Sequence, residues 1–213
     1  MRYSLIVFDL DGTLLNTLDD LTYSTNASMQ AYSLPIRTRE EVRAFIGDGL
    51  KMLLTRAAAP TPYFDELLTT FREAYSEHCK DQTAPYEGIL PLLKALQEKG
   101  AKLAVVSNKA DFATKRLVKD YFGEYIGVAV GENEAAGVGK KPAPDSLLAV
   151  MDSFGASKEE TLYVGDSEVD IQTAKNAGVD CVSVLWGFKD KQFLIENGAK
   201  MLISSPLELL KFL

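Results

Sequence analysis

Two aspartates directly after an apolar segment are the first residues in this sequence that could do chemistry. Leu5-Ile6-Val7-Phe8 is a short apolar run, and Asp9-Leu10-Asp11-Gly12-Thr13 follows it. Such a run is typical of a parallel strand that is covered on both faces. Two carboxylates beyond its end would repel each other unless a cation lay beside them, and Gly12 would allow a tight turn. The alternative interpretation is a polar turn that only ends the strand.

A second acidic segment follows another apolar run. Thr161-Leu162-Tyr163-Val164 precedes Gly165-Asp166-Ser167-Glu168-Val169-Asp170. Asp170 falls in the first turn of the next predicted helix, where an acid interacts favourably with the helix dipole. This interaction alone would explain an acid at that position. Asp166 has no such structural explanation. Together with Asp9, it offers the hard oxygen ligands that Mg²⁺ accepts.

Hydroxyl, amide and ammonium groups follow two further apolar runs. Ser107-Asn108-Lys109 comes after Leu103–Val106, and Lys140-Lys141-Pro142 lies in the loop after Ile126–Val130. A lysine at this point could neutralise a carboxylate and hold a phosphate oxygen. Taken alone, these segments are an ordinary turn and a solvated pair of charges. Ligands of open parallel sheets bind beyond the carboxyl ends of the strands, so we expect the polar segments to meet at one edge.

The elements that must position these residues alternate along the chain. Two more strands are predicted over Cys181–Leu185 and Met201–Ile203. Apolar residues recur at helical spacing between the strands, in the segments 89–96, 112–121, 145–154 and 169–177. Alternating strands and helices predict an α/β fold with a parallel sheet covered on both faces.

One long segment interrupts this alternation. Residues 17–83 contain no convincing strand and are divided by Pro35, by Gly47-Asp48-Gly49 and by Pro60-Thr61-Pro62. We interpret them as an inserted domain of several helices. The predicted organisation is a core domain of residues 1–16 and 84–213 and a helical insert of residues 17–83.

Composition excludes some classes of partner. The net charge of −7 disfavours nucleic acid or an anionic membrane, because their phosphates would be repelled. No apolar run has the length needed to span a bilayer, and the sequence does not start with an apolar targeting segment. Cys79 and Cys181 lie far apart and are expected to be reduced thiols. We expect a cytoplasmic enzyme or binding protein, of unknown oligomeric state.

The polar segments, in their order along the chain, resemble the four motifs of the haloacid-dehalogenase superfamily. The motifs are Asp9–Thr13, Val106–Lys109, Lys141–Pro142 and Gly165–Asp170. The insert after the first motif is similar to the helical cap of one subclass, and within it the phosphoglycolate phosphatase branch, which has Gly-x-Gly and Lys-Pro-x-Pro segments, is most alike. The resemblance covers essentially the whole chain. It implies a Rossmann-like parallel sheet core with an inserted α-helical cap, and a Mg²⁺-dependent phosphatase that forms a phosphoaspartate.

The resemblance also implies a role for each motif residue. Asp9 would be the nucleophile, and Asp11 would protonate the leaving group and then activate water. The residues expected to hold Mg²⁺ are Asp9, Asp11 through its backbone carbonyl, Asp166 and, in support, Asp170. The residues expected to hold the phosphoryl group or to shape the loop around it are Ser107, Asn108, Lys141, Gly12 and Thr13.

Other reactions of the same superfamily are also open. Asp11 argues against a dehalogenase, and the segment around Gly47 lacks the cap sequence typical of hexose-phosphate mutases. A hexose-phosphate mutase, a pyrophosphatase and a non-catalytic phosphate-binding scaffold remain as alternatives. A cap would enclose a small cavity and so favours a small-molecule phosphate ester. The candidate residues for binding the rest of the substrate are Gly47, Gly49, Lys51 and Arg56, and 2-phosphoglycolate is the leading candidate substrate.

Overall fold

The chain forms two compact units in the computed structural model, which describes residues 2–133, 137 and 139–213. The larger unit comprises Met1–Leu14 and Pro85–Leu213, and the smaller unit is Leu15–Ala84. The smaller unit begins and ends in two short strands, β2 (Leu15–Asn16) and β3 (Ala84–Pro85). The division therefore falls close to the two ends of the predicted insert.

A parallel sheet forms the centre of the larger unit. Its strands are β1 (Leu5–Phe8), β4 (Lys102–Ala110), β5 (Val128–Glu132), β6 (Thr161–Gly165), β7 (Asp180–Val184) and β8 (Met201–Ile203). They lie in the order β5-β4-β1-β6-β7-β8, and the neighbouring strands pair in parallel. Every residue of β1 is buried, as expected for a central strand covered on both faces. The carboxyl ends of β4, β1 and β6 are consequently adjacent at one edge.

Helices connect the strands and cover the sheet. They are α5 (Ile89–Glu98), α6 (Asp111–Phe122), α7 (Asp145–Phe154), α8 (Glu168–Ala177), α9 (Lys191–Glu196) and a last 3-10 helix (Pro206–Phe212). The apolar face of α5 is buried, with Ile89, Leu92, Leu93 and Leu96 inside. On one face of the sheet, Leu147 and Met151 of α7 form a core with Tyr163 of β6 and neighbouring residues. The predicted α/β fold with a parallel sheet is confirmed.

The smaller unit is helical. Its helices are α1 (Leu18–Ala31), α2 (Arg39–Phe45), α3 (Leu50–Ala58) and α4 (Phe64–His78). Helix α2 begins with a capping box, in which Thr38 and Glu41 satisfy each other's backbone N–H groups. The buried carboxylate of Asp20 accepts the backbone N–H groups of Gln82 and Thr83, each at 2.9 Å. The last residues of the unit are thus tied to its first helix.

Four strands differ in extent from their predicted ranges, two of them, β6 and β7, by no more than one residue at either end. The strand predicted over Leu103–Val106 continues as β4 to Ala110, with a register shift between Val106 and Ala110. The strand predicted from Ile126 begins only at Val128. Ile126 instead donates its N–H to the carbonyl of Phe122 at 2.8 Å, which makes it part of the turn that ends α6. Apolar character alone did not distinguish that turn from the strand.

In the described part of the chain, no helix combines the length and the apolar character needed to cross a lipid bilayer.

Candidate active site

Two strand ends and the first turn of a helix bring the predicted acidic residues to one place. Asp9 follows β1 directly, and Asp166 follows β6, the neighbour of β1 in the sheet. Asp170 lies in the first turn of α8, one turn of helix beyond Asp166. A carboxylate oxygen from each of the three residues lies within 4.8 Å of the other two, and all three side chains are buried. The structure therefore brings together the carboxylates that the sequence assigned to metal binding.

Lys141 lies at the centre of these carboxylates. Its Nζ donates to Oδ1 of Asp9 at 2.8 Å, to Oδ1 of Asp170 at 2.7 Å and to the hydroxyl of Tyr163 at 3.1 Å. An ammonium group has three N–H donors, so these contacts engage all of them. Burial alone would lower the pKa of Lys141, but the carboxylates of Asp170 and Asp9 outweigh it and raise that pKa well above its ordinary value. Lys141 is consequently a fixed positive charge.

One lysine does not neutralise three buried carboxylates. Burial raises the pKa of Asp9 to about 6, against the opposing effect of Lys141 and with a further contribution from Asp170. Burial, followed by the charge of Asp170, also raises the pKa of Asp166 well above its ordinary value. Both shifts arise first from burial, and the neighbouring carboxylates add to it. An oxygen-only donor set with a surplus of negative charge fits a hard divalent cation such as Mg²⁺.

Asp170 is held by protein donors on both of its oxygens. Oδ2 accepts from the Ser167 hydroxyl at 2.6 Å and from the backbone N–H groups of Ser167 and Asp166 at 3.0 and 3.2 Å. Oδ1 accepts from Lys141 and lies 3.3 Å from the oxygen of the Tyr163 hydroxyl. Asp170 thus completes the capping box of α8 and orients both Lys141 and the Asp166 segment. Asp170 was expected to support a metal ion. Its contacts fit a role in which it positions the residues that would bind the ion.

Asp11 forms an ion pair with Lys109, a residue of the second motif for which no side-chain role was predicted. Nζ of Lys109 lies 2.9 Å from Oδ1 and 3.1 Å from Oδ2 of Asp11. The Lys109 side chain is 6% exposed and that of Asp11 14%, so the pair lies mostly out of water. Asp11 is therefore paired with Lys109 at the edge of the buried cluster.

The predicted phosphate-binding residues of the second motif lie within the last part of β4. Ser107 and Asn108 are both buried, and the Asn108 side-chain amide donates to the backbone carbonyl of Lys141 at 3.0 Å. The Ser107 hydroxyl accepts the backbone N–H of Lys109 at 3.3 Å. The second and third motifs are in this way bonded to each other. Asn108 and Lys141 are therefore in direct contact, and Ser107 precedes Asn108 in β4.

The turn after Asp9 requires glycine. Gly12 has a φ of +83°, and a Cβ at this position would lie 2.3 Å from Oδ2 of Asp166. A larger residue would both strain the backbone and displace the carboxylate. Thr13 is buried, and its hydroxyl has no hydrogen-bond partner among the described residues.

The other predicted substrate-binding residues belong to the smaller unit. Gly47 and Gly49 have φ values of +134° and +82°, and Gly49 is the residue before α3. Lys51 is exposed in the first turn of α3. Arg56 donates to the backbone carbonyl of Phe45 at 2.8 Å and forms an ion pair with Asp48. These contacts, both within the smaller unit, hold the turn Gly47–Gly49. This contact favours a structural role for Arg56 and leaves Lys51 as the principal charged candidate.

Some residues of the site were not assigned from the sequence. They are Lys109, Tyr163, Ser167, Trp186 and Phe188. The hydroxyl of Tyr163 donates to the backbone carbonyl of Val106 at 3.0 Å and so links β6 to β4 beneath the cluster. The backbone N–H of Phe188 donates to Oδ2 of Asp166 at 2.7 Å.

Fold and site together define a class of α/β protein with a lysine-centred cluster of carboxylates beyond the central parallel strands. Residues 6–184 match the model of the haloacid dehalogenase-like hydrolase family. A phosphoglycolate phosphatase of Pseudomonas aeruginosa is 32% identical over 215 residues, which cover 97% of this chain and 78% of that protein. The N-acetylmuramic acid 6-phosphate phosphatase of the same bacterium is 30% identical, over 100% of this chain and 96% of that protein.

A solved structure shares the whole fold. A candidate phosphoglycolate phosphatase from Lactobacillus delbrueckii subsp. bulgaricus superposes with a TM-score of 0.92 at 33% identity, over 100% of this chain and 98% of the other. The chain belongs to the haloacid dehalogenase-like hydrolase family. It is thus a hydrolase of this family, as its motifs predicted, and the two curated relatives are phosphoric monoester hydrolases by name.

Proposed function

We propose that this protein is a Mg²⁺-dependent phosphatase that hydrolyses a small phosphate ester through a phosphoaspartate on Asp9. The observation that carries the proposal is the buried cluster of Asp9, Asp166, Asp170 and Lys141 at the carboxyl ends of adjacent strands. The residues that would hold Mg²⁺ are Asp9, Asp166 and the backbone carbonyl of Asp11, with Asp170 in support. When bound, the ion would screen the negative charge of the phosphoryl group and stabilise the charge of the transition state.

Asp9 is suited to be the nucleophile. One of its oxygens attacks phosphorus, a bond forms between that oxygen and phosphorus, and the bond from phosphorus to the ester oxygen breaks. Lys141 keeps Oδ1 of Asp9 in place by a hydrogen bond of 2.8 Å. Asn108, whose amide donates to the backbone carbonyl of Lys141, and Ser107, whose hydroxyl accepts the backbone N–H of Lys109, offer polar groups to the phosphoryl oxygens. Water then attacks the acyl phosphate, which releases phosphate and restores the carboxylate.

Asp11 is the residue that moves the proton. After its carboxylate has taken up a proton from solvent, it protonates the alkoxide that leaves in the first step, and the carboxylate formed in this way accepts a proton from the water that attacks in the second. Because both of its oxygens face Lys109 at 2.9 and 3.1 Å, this ion pair has to open before a proton can move. The phosphate of the substrate is a competing partner for the Lys109 ammonium. Substrate binding would therefore release Asp11 for its function.

We also propose that the unit Leu15–Ala84 is the cap that selects the substrate, and that the enzyme is cytoplasmic. Two relatives act, by name, on esters whose alcohol part is an acid, glycolate in one and N-acetylmuramic acid in the other. A carboxylate on the substrate needs a positive partner, and Lys51 beside the Gly47–Gly49 turn could supply it. We propose 2-phosphoglycolate as the substrate, with N-acetylmuramic acid 6-phosphate as the second candidate.

The test is a comparison of kcat/KM with Mg²⁺ for 2-phosphoglycolate, N-acetylmuramic acid 6-phosphate, a hexose phosphate, pyrophosphate and an aryl phosphate. Lys51→Ala should raise KM for 2-phosphoglycolate about tenfold and leave the aryl phosphate nearly unchanged, because only the former loses an ion pair. Arg56→Ala should lower the melting temperature as well as affinity, since Arg56 braces the turn. Lys80→Ala, an exposed lysine of the same unit, is the control.

Two results would contradict this assignment. Equal kcat/KM for 2-phosphoglycolate and generic esters would refute the proposed substrate. Conversion of the hexose phosphate without release of inorganic phosphate would show a mutase, and binding of phosphate esters without turnover would show a scaffold.

A further inference from the structure

The segment Trp186–Phe188, which follows β7, is bonded to both acidic segments of the site. The indole Nε1 of Trp186 donates to the backbone carbonyl of Thr13 at 3.0 Å. The backbone N–H of Phe188 donates to Oδ2 of Asp166 at 2.7 Å. A single three-residue segment therefore holds the turn after β1 and the carboxylate after β6.

The packing around this segment leaves no room for adjustment. A Cβ on Gly187 would lie 2.3 Å from Cβ of Asp166 and 2.6 Å from the backbone oxygen of Gly12. A Cβ on Gly12 would lie 2.9 Å from the ring of Phe188. Phe188 and Asp166 are themselves buried. The three segments interlock, so that a displacement of one displaces the other two.

We propose that Trp186–Phe188 is a positioning loop, which fixes the Asp166 carboxylate and the turn that carries Asp11 before any ligand binds. Asp166 lies beside the like charges of Asp9 and Asp170, and without a donor its carboxylate would turn away from them. The Phe188 N–H opposes that rotation, and Trp186 holds the backbone two residues beyond Asp11. Carboxylates that are held in this way lose little conformational entropy when they bind a cation. Only the identity of the cation rests on the proposed function.

The first experiment uses the metal-free protein. Trp186→Phe keeps an aromatic ring but removes the indole N–H together with part of the ring system. Amide hydrogen exchange at Phe188 and Gly12 should become at least about fivefold faster, as the loss of one hydrogen bond predicts. Tyr3→Phe is the matched control, because it removes one hydrogen bond, of 2.6 Å to Asp180, at the opposite end of the same strand β7. It should leave exchange at Phe188 and Gly12 unchanged.

The second experiment measures Mg²⁺ binding by calorimetry. Trp186→Phe should weaken binding about fivefold and Gly187→Ala more strongly, whereas Tyr3→Phe should not weaken it. Trp186 is the only tryptophan of the sequence, so its fluorescence in the wild-type protein should change saturably with Mg²⁺ without any mutation.

The outcomes separate this inference from the proposed function. Faster exchange and weaker Mg²⁺ binding in Trp186→Phe, but not in Tyr3→Phe, would support the positioning loop. Wild-type exchange at Phe188 in Trp186→Phe, or an equal effect of Tyr3→Phe, would overturn it. A wild-type protein that binds no Mg²⁺ would refute the proposed metal, and the exchange experiment alone would then decide for or against the loop.

Discussion

Replacement of Asp9 by asparagine should stabilise the metal-free protein at neutral pH while abolishing catalysis. The three buried carboxylates of Asp9, Asp166 and Asp170 face one ammonium group, that of Lys141. An asparagine side chain in place of Asp9 would remove one negative charge with little change of shape. Lys141 would keep its bonds to Asp170 and to the Tyr163 hydroxyl, so the substitution leaves no buried cation without a partner.

The magnitude follows from the pKa of Asp9, which burial raises from 3.8 to about 6. Between these two values the folded protein holds a proton that the unfolded chain has already lost, so stability falls as the pH rises through this window. The cost of the ionised carboxylate above pH 6 is about 3 kcal/mol, at about 1.4 kcal/mol for each pH unit. For a chain of this length, the gain in Asp9→Asn corresponds to a rise of roughly 5–10 °C in melting temperature.

Thermal unfolding in EDTA measures this effect. Asp9→Asn should melt above the wild type at about pH 7.5, and the difference should vanish at about pH 3, where Asp9 is protonated in the folded protein and largely so in the unfolded chain. Saturating Mg²⁺, at about one hundred times its dissociation constant, should stabilise the wild type by about 2.7 kcal/mol. It should stabilise the variant much less, because a ligand is missing. Asp152→Asn, which removes an exposed carboxylate from α7, is the control and should change neither melting temperature.

One result would refute the reasoning. If metal-free Asp9→Asn melted at or below the wild-type temperature at neutral pH, the Asp9 carboxylate would stabilise the fold by itself. The pair with Lys141 would then outweigh desolvation and the repulsion between the acids, and the surplus of negative charge would no longer argue for a cation.

Two further predictions concern catalysis. Chelation should abolish activity and Mg²⁺ should restore it, whereas Ca²⁺ should restore it poorly because of its larger and looser coordination shell; full activity in EDTA would refute the metal site. Asp11→Asn should still bind Mg²⁺, as calorimetry can show, but should lose most of the first step with an alkyl phosphate and less with an aryl phosphate, whose leaving group needs no proton. Equal losses in the burst phase for both substrates would contradict the assignment of the acid.

The sheet was predictable because each strand is a short apolar run that periodicity alone can locate. The bounds of β1 and β8 agree with the predicted Leu5–Phe8 and Met201–Ile203. Parallel strands align their carboxyl ends, so the polar residues after the three neighbouring strands β4, β1 and β6 had to meet. The proximity of Asp9 and Asp166 is therefore a consequence of topology, and it required no knowledge of side-chain geometry. Lys141 reaches them from the loop after β5, the neighbour of β4.

The remaining site residues were not predictable for different physical reasons. Tyr163 lies inside an apolar run, and whether its hydroxyl points into the cluster depends on the pleat of β6. Phe188 contributes a backbone N–H, which any residue type except proline could supply, so no sequence signal marks it. Lys109 and Trp186 did offer a signal. Lys109 is part of the second motif, and Trp186-Gly187 follows a strand at the edge where the other polar segments lie.

The charges around the site indicate how a phosphate ester can enter it. The carboxylates of Asp9, Asp11, Asp166 and Asp170 and the ammonium groups of Lys109 and Lys141 leave a formal charge of −2. A doubly charged phosphate would be repelled by this charge, and in a place of low dielectric the repulsion is large. A divalent cation brings the total to zero. The burial that makes the carboxylates unfavourable in the metal-free protein thus also makes cation binding the condition for substrate binding. The two lysines can then exchange a carboxylate partner for a phosphoryl oxygen without a change in net charge.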